Sequence, residues 1–231
     1  MNSSPRVAGI GDTPRRLPLH VYRMPRRLTQ LFVGLALYGV SLAFVLRAGL
    51  GLAPWDVLHQ GLAEKTGATV GQLVIAVSFV VLLAWIPLRQ RPGFGTFANA
   101  VLVGIFVDLT MSVLGEVDSW TWRVVLLLGG VLLNGLATAL YIGASLGPGP
   151  RDGLMTGLVA RTGRSVRLVR TLLEVGVLVV GFVLGGTVGV GTVLYAFTIG
   201  PIAHLLLPRL TVPPRAAPSA AVPPRPGWEV T

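Results

Sequence analysis

The stretch LGLAPWDVLHQGLAEKTG, Leu50 to Gly67, returns ninety-six residues later as LGPGPRDGLMTGLVARTG, Leu146 to Gly163. Leu50, Gly51, Pro54, Asp56, Leu58, Gly61, Leu62, Thr66 and Gly67 recur unchanged at that one offset. The register then holds without a gap. GFGT at Gly93 to Thr96 becomes GVGT at Gly189 to Thr192, Ala100 becomes Ala196, and Gly104 becomes Gly200. From Gly34 to Leu109, about 24 of 76 positions match their partners. A gapless self-match of this kind is the sign of a duplicated structural unit. Whatever the chain does, it is expected to do between the two copies.

The medium in which the duplicate folds is set by hydropathy. Of the residues, 52% are hydrophobic and 12% charged, and the mean hydropathy is +0.73. Soluble domains carry roughly 25% charged residues. Apolar runs of about 18 residues recur, the length a bilayer core demands. An all-α polytopic membrane protein is therefore expected, with the lipid bilayer as its first partner. With no cysteine, disulfides, thiolate metal sites and a cysteine nucleophile are excluded. The net charge of +10 resembles a nucleic-acid signal, but most of the basic residues flank apolar runs. There they are read first as determinants of topology, and no nucleic-acid partner is expected.

Six spans are predicted, roughly Leu28–Ala48, Val70–Leu88, Thr96–Leu114, Val124–Ser145, Val166–Leu184 and Thr192–Leu207. They divide the chain into a basic cytoplasmic tail (1–27), a first three-span repeat (28–114), an external loop (115–123), a second three-span repeat (124–207) and a disordered proline-rich tail (208–231). Residues 1–27 do not read as a cleaved leader, because the apolar run that follows is too long and no small-residue cleavage site precedes it. Trp120 and Trp122 fit the headgroup boundary, where indoles are favoured. With a cytoplasmic N-terminus, only Arg47, Lys65 and Arg123 of the 19 basic residues fall outside. Both termini are thus expected in the cytoplasm of a bacterial inner-membrane protein. Each unit holds an odd number of spans, so the second copy enters the membrane upside down. The result is a 3+3 inverted repeat with a short non-spanning helix in each half, a plan found in many transporters.

The elements LGLAPWDVL with GTFANA, and LGPGPRDGL with GVGTVLYA, resemble the bacterial YczE/YyaS/YitT membrane protein family, on its YczE side. The resemblance covers roughly residues 28 to 207. It implies a multi-pass, membrane-embedded protein and carries over no substrate, reaction or functional residue, so candidate sites rest on the chemistry of the residues.

Pro54-Trp55-Asp56 and Pro150-Arg151-Asp152 each open a helix too short to span. Proline suits the first helical position, and aspartate in the first turn complements the helix dipole. Two readings stay open for Asp56 and Asp152: surface helices lying in the interface, or re-entrant half-helices whose positive ends line a central site. The Gly-x-Gly-Thr turns lack the lysine and strand context of a P-loop; their glycines are expected to permit a tight turn, with Thr96 and Thr192 capping the next span. Ala100, Gly104 and Asp108 share one helical face, as do their duplicates Ala196, Gly200 and His204. Small residues four apart let membrane helices approach closely, so Ala100, Gly104, Ala196 and Gly200 are expected at helix contacts. Asp108 and His204 are either locally satisfied or part of a proton or ion path. Arg167, Arg170 and Glu174 share a face of the fifth span, where Arg170 and Glu174 are either an internal ion pair or pathway residues. Asn99 and Asn134, whose duplicates are Tyr195 and Tyr38, are expected to make interhelical hydrogen bonds.

Enzyme chemistry is not expected: the chain holds no HExxH, no GxSxG and no paired-histidine ligand set. No cofactor or metal is anticipated. The leading expectation is a small transporter or channel-like permease for a small molecule or ion. The alternative is a membrane scaffold or regulator that acts through a protein partner. Asp56, Asp152, Asp108, Glu174, Arg170 and His204 are the pathway candidates.

Overall fold

The computed structural model describes residues 23–212, which form eight helices and no strand. The parts of the two expected tails at 1–22 and 213–231 lie outside the described residues. The helices are α1 (Met24–Ala48), α2 (Pro54–Thr66), α3 (Val70–Leu88), α4 (Phe94–Val113), α5 (Trp120–Gly143), α6 (Pro150–Thr162), α7 (Val166–Val183) and α8 (Val190–Leu210). Met24 and Trp120, Pro54 and Pro150, Val70 and Val166, and Phe94 and Val190 are each 96 positions apart. The repeat is therefore a unit of four helices, long–short–long–long.

Local chemistry sets these boundaries. Pro54 and Pro150 open α2 and α6, and Gly67 and Gly163 close them at φ of +73° and +66°, the left-handed cap glycine adopts without penalty. α3 begins in a capping box: the Thr69 hydroxyl accepts from the Gln72 N–H, and the Gln72 side chain accepts from the Thr69 N–H. α1 and α5 start earlier than expected, at Met24 and Trp120.

Five helices, α1, α3, α4, α5 and α8, are long and apolar enough to cross a membrane. α7, expected as the fifth span, falls outside that group: its 18 residues include Arg167, Arg170 and Glu174. Large apolar side chains such as Val80, Leu83, Ile86, Val113, Val183 and Phe197 lie exposed on the long helices. Apolar surface on this scale suits lipid rather than water.

Packing between the halves comes in pairs exchanged by the 96-residue offset. α2 packs on α7, and α6 packs on α3. The Gly95 N–H donates to the Leu146 carbonyl at 2.9 Å, and the Gly191 N–H donates to the Leu50 carbonyl at 2.8 Å. Gly34 of α1 lies against Ala137 and Tyr141 of α5, while Gly130 of α5 lies against Ser41 and Val45 of α1. α1 and α5 thus run antiparallel where they meet.

The GFGT and GVGT glycines serve this join rather than a turn. Gly93 and Gly189 have φ of −92° and −171°, ordinary for any residue. A side chain at either would come within 2.6 Å of the Leu146 or Leu50 carbonyl oxygen. Thr96 accepts from the Gly93 N–H at 3.1 Å and donates to the Pro148 carbonyl at 2.7 Å, tying α4 to the loop before α6.

The α3–α4 pair and its duplicate α7–α8 pack differently. α3 and α4 meet at Gly71 and Gly104, where a side chain on either would strike the other's backbone. The equivalent position on α7 is Arg167, and at Gly200 of α8 an added side chain would meet nothing within 4 Å. Ala100 and Gly104 are buried as expected, but Ala196 and Gly200 are exposed and make no tight helix contact. The small-residue stripe needs a small partner, and α7 offers an arginine in place of Gly71.

Candidate functional site

The short helices meet by their first turns. Their C-terminal residues, Glu64 to Thr66 and Ala160 to Thr162, are mostly exposed, whereas Asp56, Val57, Pro150 and Gly153 are buried. Each is held by the other half of the chain. Leu52 donates its N–H to the Thr187 carbonyl, and Gln60 accepts from the Thr187 N–H. On the other side, the Trp85 indole N–H donates to the Pro150 carbonyl at 3.0 Å.

Trp55 and Arg151, equivalent by the repeat, stack where the two helices meet, with the guanidinium carbon 5.2 Å from the ring centroid. Arg151 Nη2 donates to Asp56 Oδ1 at 3.3 Å and lies 3.4 Å from His59 Nδ1, which is itself 3.4 Å from Asp56 Oδ1. The Asp56 side chain is 7% exposed, that of His59 1% and that of Arg151 25%. Hydrogen bonds beyond 3.2 Å are long, so the guanidinium is steered rather than saturated. Cation–π stacking on the indole holds its plane.

Asp152 accepts a 2.7 Å hydrogen bond from the Tyr141 hydroxyl, and Tyr141 packs edge-on against Tyr38. Asn134 binds both neighbours: its amide donates to Ser41 Oγ at 2.8 Å, and its carbonyl accepts from the Tyr195 hydroxyl at 2.9 Å. Tyr195, Asn134 and Ser41 thereby join α8, α5 and α1.

Two cavities flank this centre. The larger, about 240 Å³, is lined by Arg170 and Glu174 of α7, Tyr195 and Ile199 of α8, and Tyr38, Trp55, Tyr141, Arg151 and Asp152, among others. The smaller, about 50 Å³, is lined by Val74 and Ser78 of α3, Asn99 and Val103 of α4, and again Tyr38, Tyr141, Arg151 and Asp152. Val74, Ser78, Asn99 and Val103 are the repeat partners of Arg170, Glu174, Tyr195 and Ile199. The walls that α7 and α8 give the larger cavity and those that α3 and α4 give the smaller are thus equivalent in the repeat, and the first is wide where the second is narrow. Tyr38, Tyr141, Arg151 and Asp152 belong to both.

Of the residues singled out in the sequence, Asp152, Arg170 and Glu174 line the larger chamber, and Asp56 sits directly behind Arg151. Arg170 Nε donates to Glu174 Oε1 at 2.9 Å, an ion pair along one helix face. Asp108 and His204 are not with them. Asp108 accepts from the Thr69 hydroxyl at 2.5 Å and from the Gly71 N–H at 2.9 Å, so it satisfies the free amide end of α3. His204 is exposed on α8. Asp108 is drawn to α3 because α3 and α4 are in contact; the wider α7–α8 cleft leaves His204 no such target.

Sequence reading passed over Arg151, Trp55, His59 and Tyr141 as site residues. Arg151 counted towards the cytoplasmic charges, yet it lies inside the bundle. One signal is present: where the repeat aligns an arginine with a tryptophan in otherwise matching helix starts, the pair can stack if those starts meet. His59 and Tyr141 align with Met155 and Val45, and nothing in the pattern marks them. Among the described residues no cluster of three His, Cys, Asp or Glu side chains is placed to hold a metal.

The chain is similar to an uncharacterized protein of Haemophilus influenzae, 39% identical over 79% of this chain and 84% of that one. It is 36% identical to the uncharacterized membrane protein YczE of Bacillus subtilis, over 79% and 86% of the two chains. It is 28% identical to the B. subtilis protein YyaS, over 76% and 90%. No solved structure matches it. With five apolar helices of spanning length and relatives that include a membrane protein, it is an integral membrane protein. The match to DUF6198, a family of unknown function, spans residues 25–208, and the chain belongs to that family, among YczE-like proteins.

Proposed function

We propose that the chain is a small permease of the bacterial inner membrane, with its site at the interface between two inverted three-span repeats. α7 supplies the sixth span. Its 18 residues reach about 27 Å at the helical rise, and Arg170 and Glu174 face a chamber rather than lipid, the usual place for intramembrane charge. The short helices α2 and α6 dip from opposite faces and meet at the centre. Irregular backbone at such depth is tolerated where protein buries it or a cavity is lined by it, and both conditions hold here. With both termini cytoplasmic, the α7–α8 chamber opens inward and the α3–α4 contact closes the outer side.

The observation that carries this reading is the paired chamber. Two repeat-equivalent cavities, one wide and one narrow, share Tyr38, Tyr141, Arg151 and Asp152. Closing α7 on α8 while parting α3 from α4 exchanges their roles, the rocking that inverted repeats allow.

Because the chain has no cysteine, single cysteines can be introduced without first removing others. Ala203→Cys reports on the wide chamber and Ser78→Cys on the narrow one. Expected is labelling of Ala203→Cys by a membrane-impermeant thiol reagent from the cytoplasmic side and slower labelling of Ser78→Cys from the outside. A cross-link closing α7 on α8 should raise the Ser78→Cys rate. Ser78→Cys that stays unreactive with α7 and α8 cross-linked would sink the permease and favour a scaffold acting through a protein partner.

A further inference from the structure

We infer that the larger chamber takes an acyl-chain amphiphile from the bilayer, with its chain in the gap between α7 and α8 and its polar head in the chamber. This rests on the permease reading and names the class of substrate and the side from which it arrives.

The repeat identifies the faces of α7 and α8 that correspond to a closed contact. In the first half, Gly71 and Ile75 of α3 lie against Gly104 of α4. Their duplicates are Arg167, Thr171 and Gly200. All three are exposed, and so are Ala196 and His204, one turn to either side of Gly200. α7 packs on α2 and α6, and α8 packs on α5, but no packed interface joins α7 to α8. The wall that α3 and α4 close is therefore open in the second half.

Depth decides what fills the opening. Gly200 lies ten residues from each end of α8 (Val190–Leu210), about 15 Å from either at the helical rise. A bilayer core is about 30 Å thick, so a spanning α8 holds Gly200 at hydrocarbon depth. Gly200 also lines the chamber, and the opening thus joins chamber to bilayer. Leu172 and Phe197, next in sequence to Thr171 and Ala196, are large, apolar and exposed. Apolar surface at that depth is covered by lipid chains in preference to water.

The inner end has the opposite character. Arg170 and Glu174 of α7 and Arg151 and Asp152 of α6 line the same chamber. Hydrocarbon alone would leave these charges against an apolar filling, which is costly. A polar head carried on a chain meets both demands: its polar atoms and water lie against the charged wall, and its chain covers the gap.

Photo-cross-linking of the purified full chain in nanodiscs tests this. The probe is a phosphatidylethanolamine with a diazirine close to the carboxyl end of one acyl chain, and adducts are mapped by mass spectrometry. Adducts are expected at Thr138 of α5 and Ile199 of α8, which line the chamber, and at lipid-facing Leu83 of α3. Ser78 and Val103, in the smaller cavity, should carry none. Gly200→Leu puts a side chain into the gap and should lower the yield at Thr138 and Ile199 at least threefold, with Leu83 unchanged. Gly129→Leu, on α5 outside both cavities and equally open to an added side chain, should leave every yield as in the parent. Adducts at Leu83 with none at Thr138 and Ile199 would overturn the inference, as would chamber yields that Gly200→Leu leaves unaltered. Labelling at Ala203→Cys and Ser78→Cys needs no probe lipid, so the two readings fail separately. Exchange of access without chamber adducts strikes the amphiphile and keeps the permease; chamber adducts without exchange keep the lipid site and strike the permease.

Discussion

Arg151, from the second repeat, stacks on Trp55 of the first and points one nitrogen at Asp56. Arg151→Ala leaves the Asp56 carboxylate buried with no full charge opposite it. Removing one partner of a buried pair costs about 3–5 kcal/mol; Arg151 keeps a quarter of its side-chain surface accessible, so a loss near the lower bound is expected. Adding Asp56→Asn should recover part of it, since the buried charge is then gone. A double-mutant cycle in denaturant, on protein in detergent, measures the coupling; additive losses would mean the two residues do not act as a pair. Asp108 works differently. Its two hydrogen bonds cap α3 and also latch α3 to α4. Asp108→Ala should cost about 1 kcal/mol, the usual worth of a cap. It should also speed outside labelling of Ser78→Cys, which a cap with no gating role would leave unchanged.

Among elements, the contrast between α3–α4 and α7–α8 gives the clearest prediction. Gly104→Leu forces a side chain into the Gly71 backbone and the Ile75 side chain. Overpacking of that kind costs about 1–3 kcal/mol. Gly200→Leu enters open space and should stay within about 0.5 kcal/mol of the parent, while filling the wide chamber. Thermal unfolding of the two variants separates them; equal destabilisation would mean that α7 and α8 pack as closely as α3 and α4. The reason for the contrast can be read along α7. Where α3 has Gly71, Val74 and Ser78, α7 has Arg167, Arg170 and Glu174. Three long charged side chains cannot lie in the shallow groove that a glycine leaves, so the cleft stays open and polar.

For the whole molecule, much of the plan was written in the chain. The four-helix repeat starts each element at the same offset, because the proline, glycine and threonine signals that begin and end helices were duplicated along with the apolar runs. The short helices α2 and α6 announced themselves through Pro-x-Asp and a terminal glycine. Part of the site was legible for the same reason: Asp152, Arg170 and Glu174 stand out as carboxylates and cations within apolar sequence. Other assignments needed the third dimension. Asp108 and Asp152 are equally conspicuous acids, but one closes a helix end and the other faces a chamber, and only the neighbours distinguish them. At this scale the test is exchange between the two chambers. A double variant Asp56→Asn, Asp152→Asn that inserts normally should show no rise in outside labelling of Ser78→Cys when α7 and α8 are cross-linked; a rise as large as the parent's would remove both residues from the pathway.

By itself the sequence determined the medium, the helix count in each half and the duplication. Those follow from hydropathy, local backbone preference and register, which act over a turn or two of chain. The tertiary structure alone decided that Arg151 meets Trp55 and Asp56 of the other half, that Asp108 serves α3, and that one cavity is wide and the other narrow. These depend on which surfaces meet across nearly a hundred residues, and local preference does not encode such meetings.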